Sequence, residues 1–300
     1  MLSHEVCKKR FCELKDLSVF ILTHNRGELL LETIESVLNQ SCQDFKIIVS
    51  DNSSNDETKA LLEKRAFLQK VEYRKRDREY SSLEHFNMCL SEVTTKYFVL
   101  FHDDDVMMPD FVDAMYSTIV NSSCAAVGTN ACILNNKEKT NRLFYKEKKD
   151  SFVTVKRMVH NYCLGNIAPF PGYIYNKEIL RGLKFSDECE KYSDVIWLFN
   201  VANLGRIMWL AQPHMYYRVH SSQDSQIFDF NNQKKLINKY ISIVGEKNRC
   251  LNKYRRDLLY MEMSESYKKD KVIPCSNLKM LFKMSKFLFI KFILKVLIKT

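Results

Sequence analysis

Three consecutive carboxylates, Asp103-Asp104-Asp105, stand directly after the apolar run Tyr97 to Phe101 and a single histidine, His102. Adjacent carboxylates beside a strand end suit a hard divalent cation, which in turn bridges the oxygens of a diphosphate. An acidic triplet alone is ordinarily a solvated loop, so its place in the chain decides its weight. Two more polar clusters end apolar runs: Thr23-His24-Asn25-Arg26-Gly27 and Asp51-Asn52. The first occupies the position where a dinucleotide site carries its glycine-rich turn. Those glycines are missing and no Walker loop occurs, so a bound phosphate needs another source of positive charge.

The elements that must position these clusters follow from periodicity. Leu17 to Leu22 is a short β-branched run that predicts a buried strand, and Leu30, Ile34, Val37 and Leu38 recur at helical spacing. Phe45 to Val49 predicts a second buried strand, a helix is expected from about Asp56, and a weaker strand near Val71-Tyr73. Leu83 to Val93 reads as helix and Tyr97 to Phe101 as a third strong strand. Pro109 is expected in the first turn of a helix whose apolar face is Phe111, Val112, Met115 and Ile119. Alternation of this kind predicts an α/β fold with a mostly parallel, doubly wound sheet, whose ligands bind beyond the carboxyl ends of the strands. Thr23, Asp51 and Asp103 to Asp105 are then expected on one rim. Further strands are expected at Ala125–Leu134, Gly172–Tyr175, Ile207–Leu210 and Met215–Val219, and helices over 230–268.

The motifs resemble a known family. Ser18-Val19-Phe20-Ile21-Leu22-Thr23-His24-Asn25-Arg26 with Ser36-Val37-Leu38-Asn39-Gln40-Ser41, then Phe45 to Thr58, then His102-Asp103-Asp104-Asp105 with Pro109-Asp110-Phe111, resemble glycosyltransferase family 2 in order and spacing. The resemblance covers roughly residues 17–225 and is strongest over the first 115. It implies a GT-A fold, Rossmann-like with flanking helices, a nucleotide-diphosphate sugar as donor, Mn2+ or Mg2+ at the DxD motif, and inverting transfer. Carried residue by residue, it puts Thr23, Asn25 and Asp51 in the nucleotide pocket, Asp51 facing the base. Arg26 either touches the nucleotide or solvates the loop. Asp103 is shared between the ribose side and the metal, Asp105 is the direct metal ligand, and Asp104 has no clear place beyond the donor pocket. Asp194, in Tyr192-Ser193-Asp194-Val195-Ile196-Trp197-Leu198, is the implied catalytic base, although Ser193 replaces the acid that usually precedes it. A cap on the helix starting there is its other reading, and Asp187, Glu188 and Glu190 are the alternative bases. In Tyr217 to Ser225 the Arg-x-His pattern makes His220 a metal or diphosphate contact and Arg218 a product contact. His24, His85 and His102 receive no such role. Gly172-Tyr173, near Pro169-Phe170-Pro171, is a candidate acceptor wall or a plain turn.

Composition bounds the partners. The net charge is +10, yet Lys271 to Thr300 holds seven lysines and no acid, so the remainder is nearly neutral and a nucleic-acid partner is not expected. Ten cysteines occur without any CxxC pair, which predicts free thiols in a reducing compartment rather than zinc or disulfides. No apolar h-region opens the chain and no 18-residue uncharged apolar run occurs, so neither a signal peptide nor a membrane span is expected. Leu278 to Ile298 interleaves Leu, Phe and Ile with lysine. It either packs on the domain or lies on an anionic membrane surface, and the lysine excess favours the membrane. The expected organisation is a GT-A domain over 1–225 and a helical extension over 226–300 ending in that tail. The expected function is sugar transfer to a surface glycan or lipid-linked acceptor (O-antigen, capsule or lipopolysaccharide core) at the cytoplasmic face of the membrane. A nucleotidyltransferase of related fold lacks its glycine-rich basic loop here. A non-catalytic nucleotide-sugar scaffold is disfavoured by the intact Asp103, Asp105 and Asp194.

Overall fold

The computed structural model describes residues 16–135, 138–220 and 229–299. Cys7, Cys12, residues 221–225 of the Arg-x-His stretch and the domain boundary at 225 lie outside the described residues. The elements run β1 (Leu17–Thr23), α1 (Gly27–Leu38), β2 (Lys46–Asp51), α2 (Glu57–Lys64), β3 (Glu72–Lys75), α3 (Ser82–Glu92), β4 (Tyr97–His102), β5 (Val106–Met107), α4 (Phe111–Ser122), β6 (Ala126–Asn135), β7 (Glu138–Leu143), β8 (Ser151–Val153), α5 (Val155–Cys163), β9 (Tyr173–Asn176), α6 (Ser193–Leu204), β10 (Ile207–Val219), α7 (Phe230–Val244), α8 (Arg249–Asp270), α9 (Cys275–Met284) and α10 (Lys286–Lys299). They divide into two compact units: Met1–Val153, Ala168–Phe185 and Asn200–Ser221 form the first, and Thr154–Ile167, Ser186–Phe199 and Ser222–Thr300 the second. The division does not follow one cut in the sequence. Two short segments from the middle of the chain group with the C-terminal helices.

The first unit is built on a sheet of order β3-β2-β1-β4-β9-β6-β10-β5. Every residue of β1 is buried, as an inner strand covered on both faces requires. Strands β3, β2, β1 and β4 are parallel, and so are β6 and β10. The chain leaves β1 toward β2 and β3, then returns across β1 to lay down β4. Strand order therefore reverses between β1 and β4, which is where open α/β sheets bind ligands. Strand β9 enters antiparallel between β4 and β6, and β5 pairs antiparallel with β10 through Met107 and Met215. Leu30, Ile34 and Val37 of α1 and Phe111, Val112, Met115 and Ile119 of α4 share one core with Val19, Ile21, Val99 and Phe101.

Three sequence expectations shift. Helix α4 is entered through Asp110 and starts at Phe111, so Pro109 precedes the helix; its carbonyl instead accepts the Ser41 N–H at 2.7 Å. The two strands expected at Ile207–Leu210 and Met215–Val219 are one strand, β10, whose register against β6 slips on either side of Pro213. Proline has no N–H for the ladder, so the strand bulges there and continues. The tail is two helices, broken at the extended Ser285, whose hydroxyl accepts the Leu288 N–H at 3.2 Å.

Within the second unit, Tyr162 of α5, Phe199 of α6, Tyr240 of α7 and Tyr254 of α8 form a chain of ring contacts. Leu259, Met263, Tyr267, Leu281 and Phe292 join α8, α9 and α10 in a separate small core. The described cysteines are free thiols. Among the described residues no helix is long and apolar enough to cross a membrane.

Strands β6 and β9 approach so closely because Gly128, opposite Tyr173, has no side chain. A Cβ there meets the Tyr173 ring at 2.4 Å, and that ring lies against those of Tyr175 and Trp209. Gly128→Ala is expected to destabilise the fold by about 1–3 kcal/mol, as overpacking does. The check is a lowered urea midpoint at unchanged slope.

Candidate active site

The rim at the β1–β4 reversal is assembled by strand register. Thr23 and Asp51 are direct partners across β1 and β2, and Leu22 faces His102 across β1 and β4. Asp103, one residue beyond β4, therefore arrives beside Thr23. Its Oδ2 accepts the Thr23 hydroxyl at 2.7 Å and the His24 N–H at 3.2 Å. The loop after β1 is stitched to the loop after β2. Asn25 sits at φ 55°, a left-handed conformation that asparagine tolerates. Its N–H donates to Ser53 Oγ at 2.8 Å and its Oδ1 accepts the Ser54 N–H at 3.1 Å. Arg26 reaches inward: its Nη1 lies 3.3 Å from Asp103 Oδ1 and 3.0 Å from Asp104 Oδ2. Both roles open to Arg26 in the sequence, touching the nucleotide or solvating the loop, start from a guanidinium that here contacts the acidic run.

Asp51 is fully buried, which an ordinary turn-closing aspartate is not. Its Oδ1 accepts the Ser53 N–H at 2.9 Å, and its Oδ2 accepts the Tyr73 hydroxyl at 2.7 Å with Lys75 Nζ at 3.5 Å. Burial, with Asp51 beside it, pushes the Tyr73 phenol above its usual value and keeps it a donor. Tyr73 and Lys75 escaped the sequence reading. Their signal is alternation: both lie on β3, in register with Val49 and Asp51 of β2.

The acidic run is pinned by its backbone. The Thr33 hydroxyl lies 3.0 Å from the Asp103 carbonyl and 2.7 Å from that of Asp105. Arg218 donates its N–H to Asp105 Oδ1 at 2.9 Å and its Nε–H to the Asp104 carbonyl at 2.7 Å, and its guanidinium also pairs with Glu32. His220 Nε2 lies 3.0 Å from Asp104 Oδ2. These contacts exist because β5, immediately after the run, pairs with β10, which carries Arg218. Asp105 Oδ2 and His102 Nε2 are buried without a hydrogen-bond partner. One ring nitrogen of His102 and one oxygen each of Asp104 and Asp105 lie within 4.8 Å of one another.

Charge is unbalanced here. Burial, then the Asp104 charge, pushes Asp103 up to about 6 against the opposing pull of Thr23, Arg26 and the His24 amide. Burial and Asp104 raise Asp105 well above the usual carboxylate range. Burial lowers His102, leaving a neutral imidazole. Two oxygens and a neutral nitrogen brought together, from residues of which two carry an unpartnered buried atom, fit a divalent cation. Among the described residues the group able to hold one is His102, Asp104 and Asp105. Asp103 and His220, which the sequence added to the metal, are hydrogen-bonded to Thr23 and to Asp104 respectively, while Asp104, left without a clear place, belongs to the group. His102 was passed over because a histidine ending an apolar strand gives no spacing signal.

Asp194 lies in the second unit, in the first turn of α6, where its Oδ1 accepts the Val195 N–H at 2.8 Å. It does not occupy the capping position before the helix. Burial pushes its carboxyl up to about 6 against the pull of backbone amides. Among the alternative acids, Glu190 pairs with Lys235 at 2.8 Å and Glu188 with Lys239 at 3.1 Å, both exposed. Pro169-Phe170-Pro171-Gly172 is a buried turn whose Phe170 ring lies 5.7 Å from that of His102.

The model of the family "Glycosyl transferase family 2" matches residues 18–181. The GalNAc(5)-diNAcBac-PP-undecaprenol β-1,3-glucosyltransferase of Campylobacter jejuni is 22% identical over 277 residues, which are 84% of this chain and 84% of that protein. The putative glycosyltransferase EpsH of Bacillus subtilis is 21% identical over 267 residues, covering 81% and 72%. Among solved structures, S. aureus TarS 1-349 in complex with UDP-GlcNAc superposes with a TM-score of 0.61 at 14% identity, over 91% of this chain and 80% of that one. The mannosyltransferase PcManGT from Pyrobaculum calidifontis, in complex with GDP-Man and Mn2+, gives 0.51 at 14% identity, over 91% and 69%.

A buried carboxylate without a partner on one oxygen carries a charge cost that a neutral isostere removes. The folded chain holds a proton on Asp105 more tightly than the unfolded chain does. This group's contribution to stability is therefore full at low pH and lost as pH rises. Asp105→Asn is expected to raise the melting temperature of the metal-free protein near neutral pH and to abolish stabilisation by Mn2+. Melting curves in EDTA and in Mn2+ check this, and the gap between the two metal-free proteins should narrow as pH falls.

Proposed function

The chain belongs to glycosyltransferase family 2 and has a GT-A fold, and from that premise we propose that it uses a nucleotide-sugar donor, moving a hexosyl or N-acetylhexosaminyl group from a UDP-sugar to an acceptor hydroxyl with inversion. The carrying observation is the buried acidic run at the sheet's reversal point, joined to Thr23 through Asp103 and containing the unpartnered Asp105 Oδ2. That TarS is solved with UDP-GlcNAc, and PcManGT with GDP-Man and Mn2+, supports the reading of a nucleotide-sugar donor and a divalent ion. Asp51 accepts from the base, a demand that uracil N3–H meets. Asp103 and Thr23 hold the ribose side, and Asn25 keeps the two loops that frame the nucleotide in register. A bound Mn2+ or Mg2+ supplies charge neutralisation for the departing diphosphate. Arg26, Arg218 and His220, which contact the acidic run, are the side chains that would meet that diphosphate, and Arg218 would steady the product.

Asp194 takes the proton of the acceptor hydroxyl as that oxygen attacks the anomeric carbon. A carboxyl raised to about 6 is ionised near neutral pH and remains a better base than an ordinary aspartate. Asp194→Asn is expected to lower turnover by about 10²–10⁴-fold while leaving UDP binding intact. EDTA should stop donor hydrolysis and Mn2+ restore it. Metal-independent turnover, or full activity in Asp105→Ala, would overturn the metal's role.

The acceptor is read as a growing surface glycan or a lipid-linked precursor such as an O-antigen intermediate, a reading supported by the undecaprenol-linked acceptor in the Campylobacter enzyme's name. Helix α10 supports contact with the inner face of the membrane. Phe292 anchors it in its unit, while Phe287, Ile290, Leu294 and Leu297, at spacings of three and four, form a second apolar stripe that is more than half exposed. Lysines flank that stripe and no acid occurs on the helix, the pattern of a helix lying in an anionic interface. Sedimentation with phosphatidylglycerol vesicles is expected to pull down the wild type and to lose a Phe287→Ser, Leu294→Ser variant. Equal binding to neutral phosphatidylcholine vesicles would count against the charge term.

A further inference from the structure

His102 is the last residue of β4 and points away from the core face that Val99 and Phe101 occupy. Its ring is caged by aromatic side chains from separate parts of the first unit: Phe86 of α3 at 6.0 Å and Phe170 at 5.7 Å, with Phe185 packed on both at 4.9 and 5.9 Å. Such a cage would accept leucine or phenylalanine without loss of packing. Histidine instead leaves Nε2 buried with no partner, which packing alone does not explain. A second orphan, Asp105 Oδ2, is buried in the same cluster, and a nitrogen of His102 lies within 4.8 Å of oxygens from Asp104 and Asp105. Two metal–ligand bonds of about 2.1 Å each nearly span that separation. His220 differs, because its Nε2 is engaged with Asp104 Oδ2 at 3.0 Å.

We propose that His102 is a direct nitrogen ligand of the donor-site cation, completing a His102-Asp104-Asp105 set that favours Mn2+ over Mg2+. This rests on the reading of the site as a metal-dependent nucleotide-sugar site, and it adds the ligand and the selectivity that the acidic run alone does not specify. Imidazole nitrogen suits the later first-row ions, whereas Mg2+ keeps to oxygen donors and to its own waters. The aromatic cage fixes the ring's orientation, and His220 holds Asp104 from outside the ligand set, as outer partners of metal ligands do.

The test uses the full chain labelled with ring-15N histidine, loaded with Mn2+ and UDP, and read by pulsed electron paramagnetic resonance. Wild type and His220→Ala are expected to show histidine nitrogen coupled to the Mn2+. His102→Leu, which refills the cage and whose fold is checked by its melting curve, should lose that coupling. Calorimetry in the presence of UDP should show a 10–100-fold weaker Mn2+ affinity in His102→Leu, the usual effect of altering a ligand's surroundings or more, with Mg2+ affinity changed far less. Coupling that persists in His102→Leu, or that is absent from wild type with Mn2+ bound, overturns the ligand assignment and leaves the metal site standing. Failure of the wild type to bind Mn2+ with UDP overturns both.

Discussion

The packing of three successive carboxylates into a nearly dry rim is the constraint on which this structure turns. Asp103, Asp104 and Asp105 are each at most 5% exposed. Charges so placed are expensive unless every oxygen finds a donor or a cation. Most of the neighbouring architecture answers that demand. Thr23 and the His24 amide take Asp103, Arg26 bridges Asp103 and Asp104, His220 takes Asp104, and the Arg218 amide takes one oxygen of Asp105. Thr33, from the middle of α1, holds the backbone of the run. Two buried atoms beside the run, Asp105 Oδ2 and His102 Nε2, are left without a donor or acceptor, and a cation there would relieve that cost.

Topology makes those contacts possible. The reversal of strand order between β1 and β4 leaves a crevice that neither strand's crossover covers, and Thr23 and Asp103 meet at its mouth. The short β5 then turns the chain after the acidic run against β10, so that residues more than a hundred positions later return to the same rim. The bulge at Pro213 sits just before that contact. Strand β10 stays paired with β6 on both sides of it, while its other edge pairs with β8 before the bulge and with β5 after it. The site is thus bound on one side by local loops and on the other by a long-range strand pair.

Much of the rim is legible in the chain because strand ends are. Apolar runs that stop at Thr23, Asp51 and His102 locate three clusters on a parallel sheet, and parallel register does the rest. Partners supplied by alternation or by helix faces are harder to read. Tyr73 and Lys75 look like ordinary residues of a weak strand, and Thr33 like any threonine in a helix, since nothing local says that its hydroxyl meets two carbonyls of a distant loop. His102 was hidden for a related reason: its chemistry comes from an aromatic cage whose members are scattered from Phe86 to Phe185. The division into units was illegible for a third reason. The sequence marks the region after residue 226 as helical, yet it neither shows α5 nor says which helices pack together.

Two aspartates raised to the same degree are not equivalent. Asp103 and Asp194 are both pushed up to about 6. For Asp103 the causes include the charge of Asp104, opposed by Arg26. A cation at the acidic run would offset that repulsion and return Asp103 toward an ordinary ionised acid. For Asp194 no charged neighbour is among the causes: burial raises it and only backbone amides oppose. Burial alone thus raises Asp194, whereas at Asp103 a like charge adds to burial and a guanidinium opposes it. Two carboxyls can reach the same proton affinity by different routes, and only the one raised partly by a neighbouring charge responds directly to a cation placed beside that neighbour.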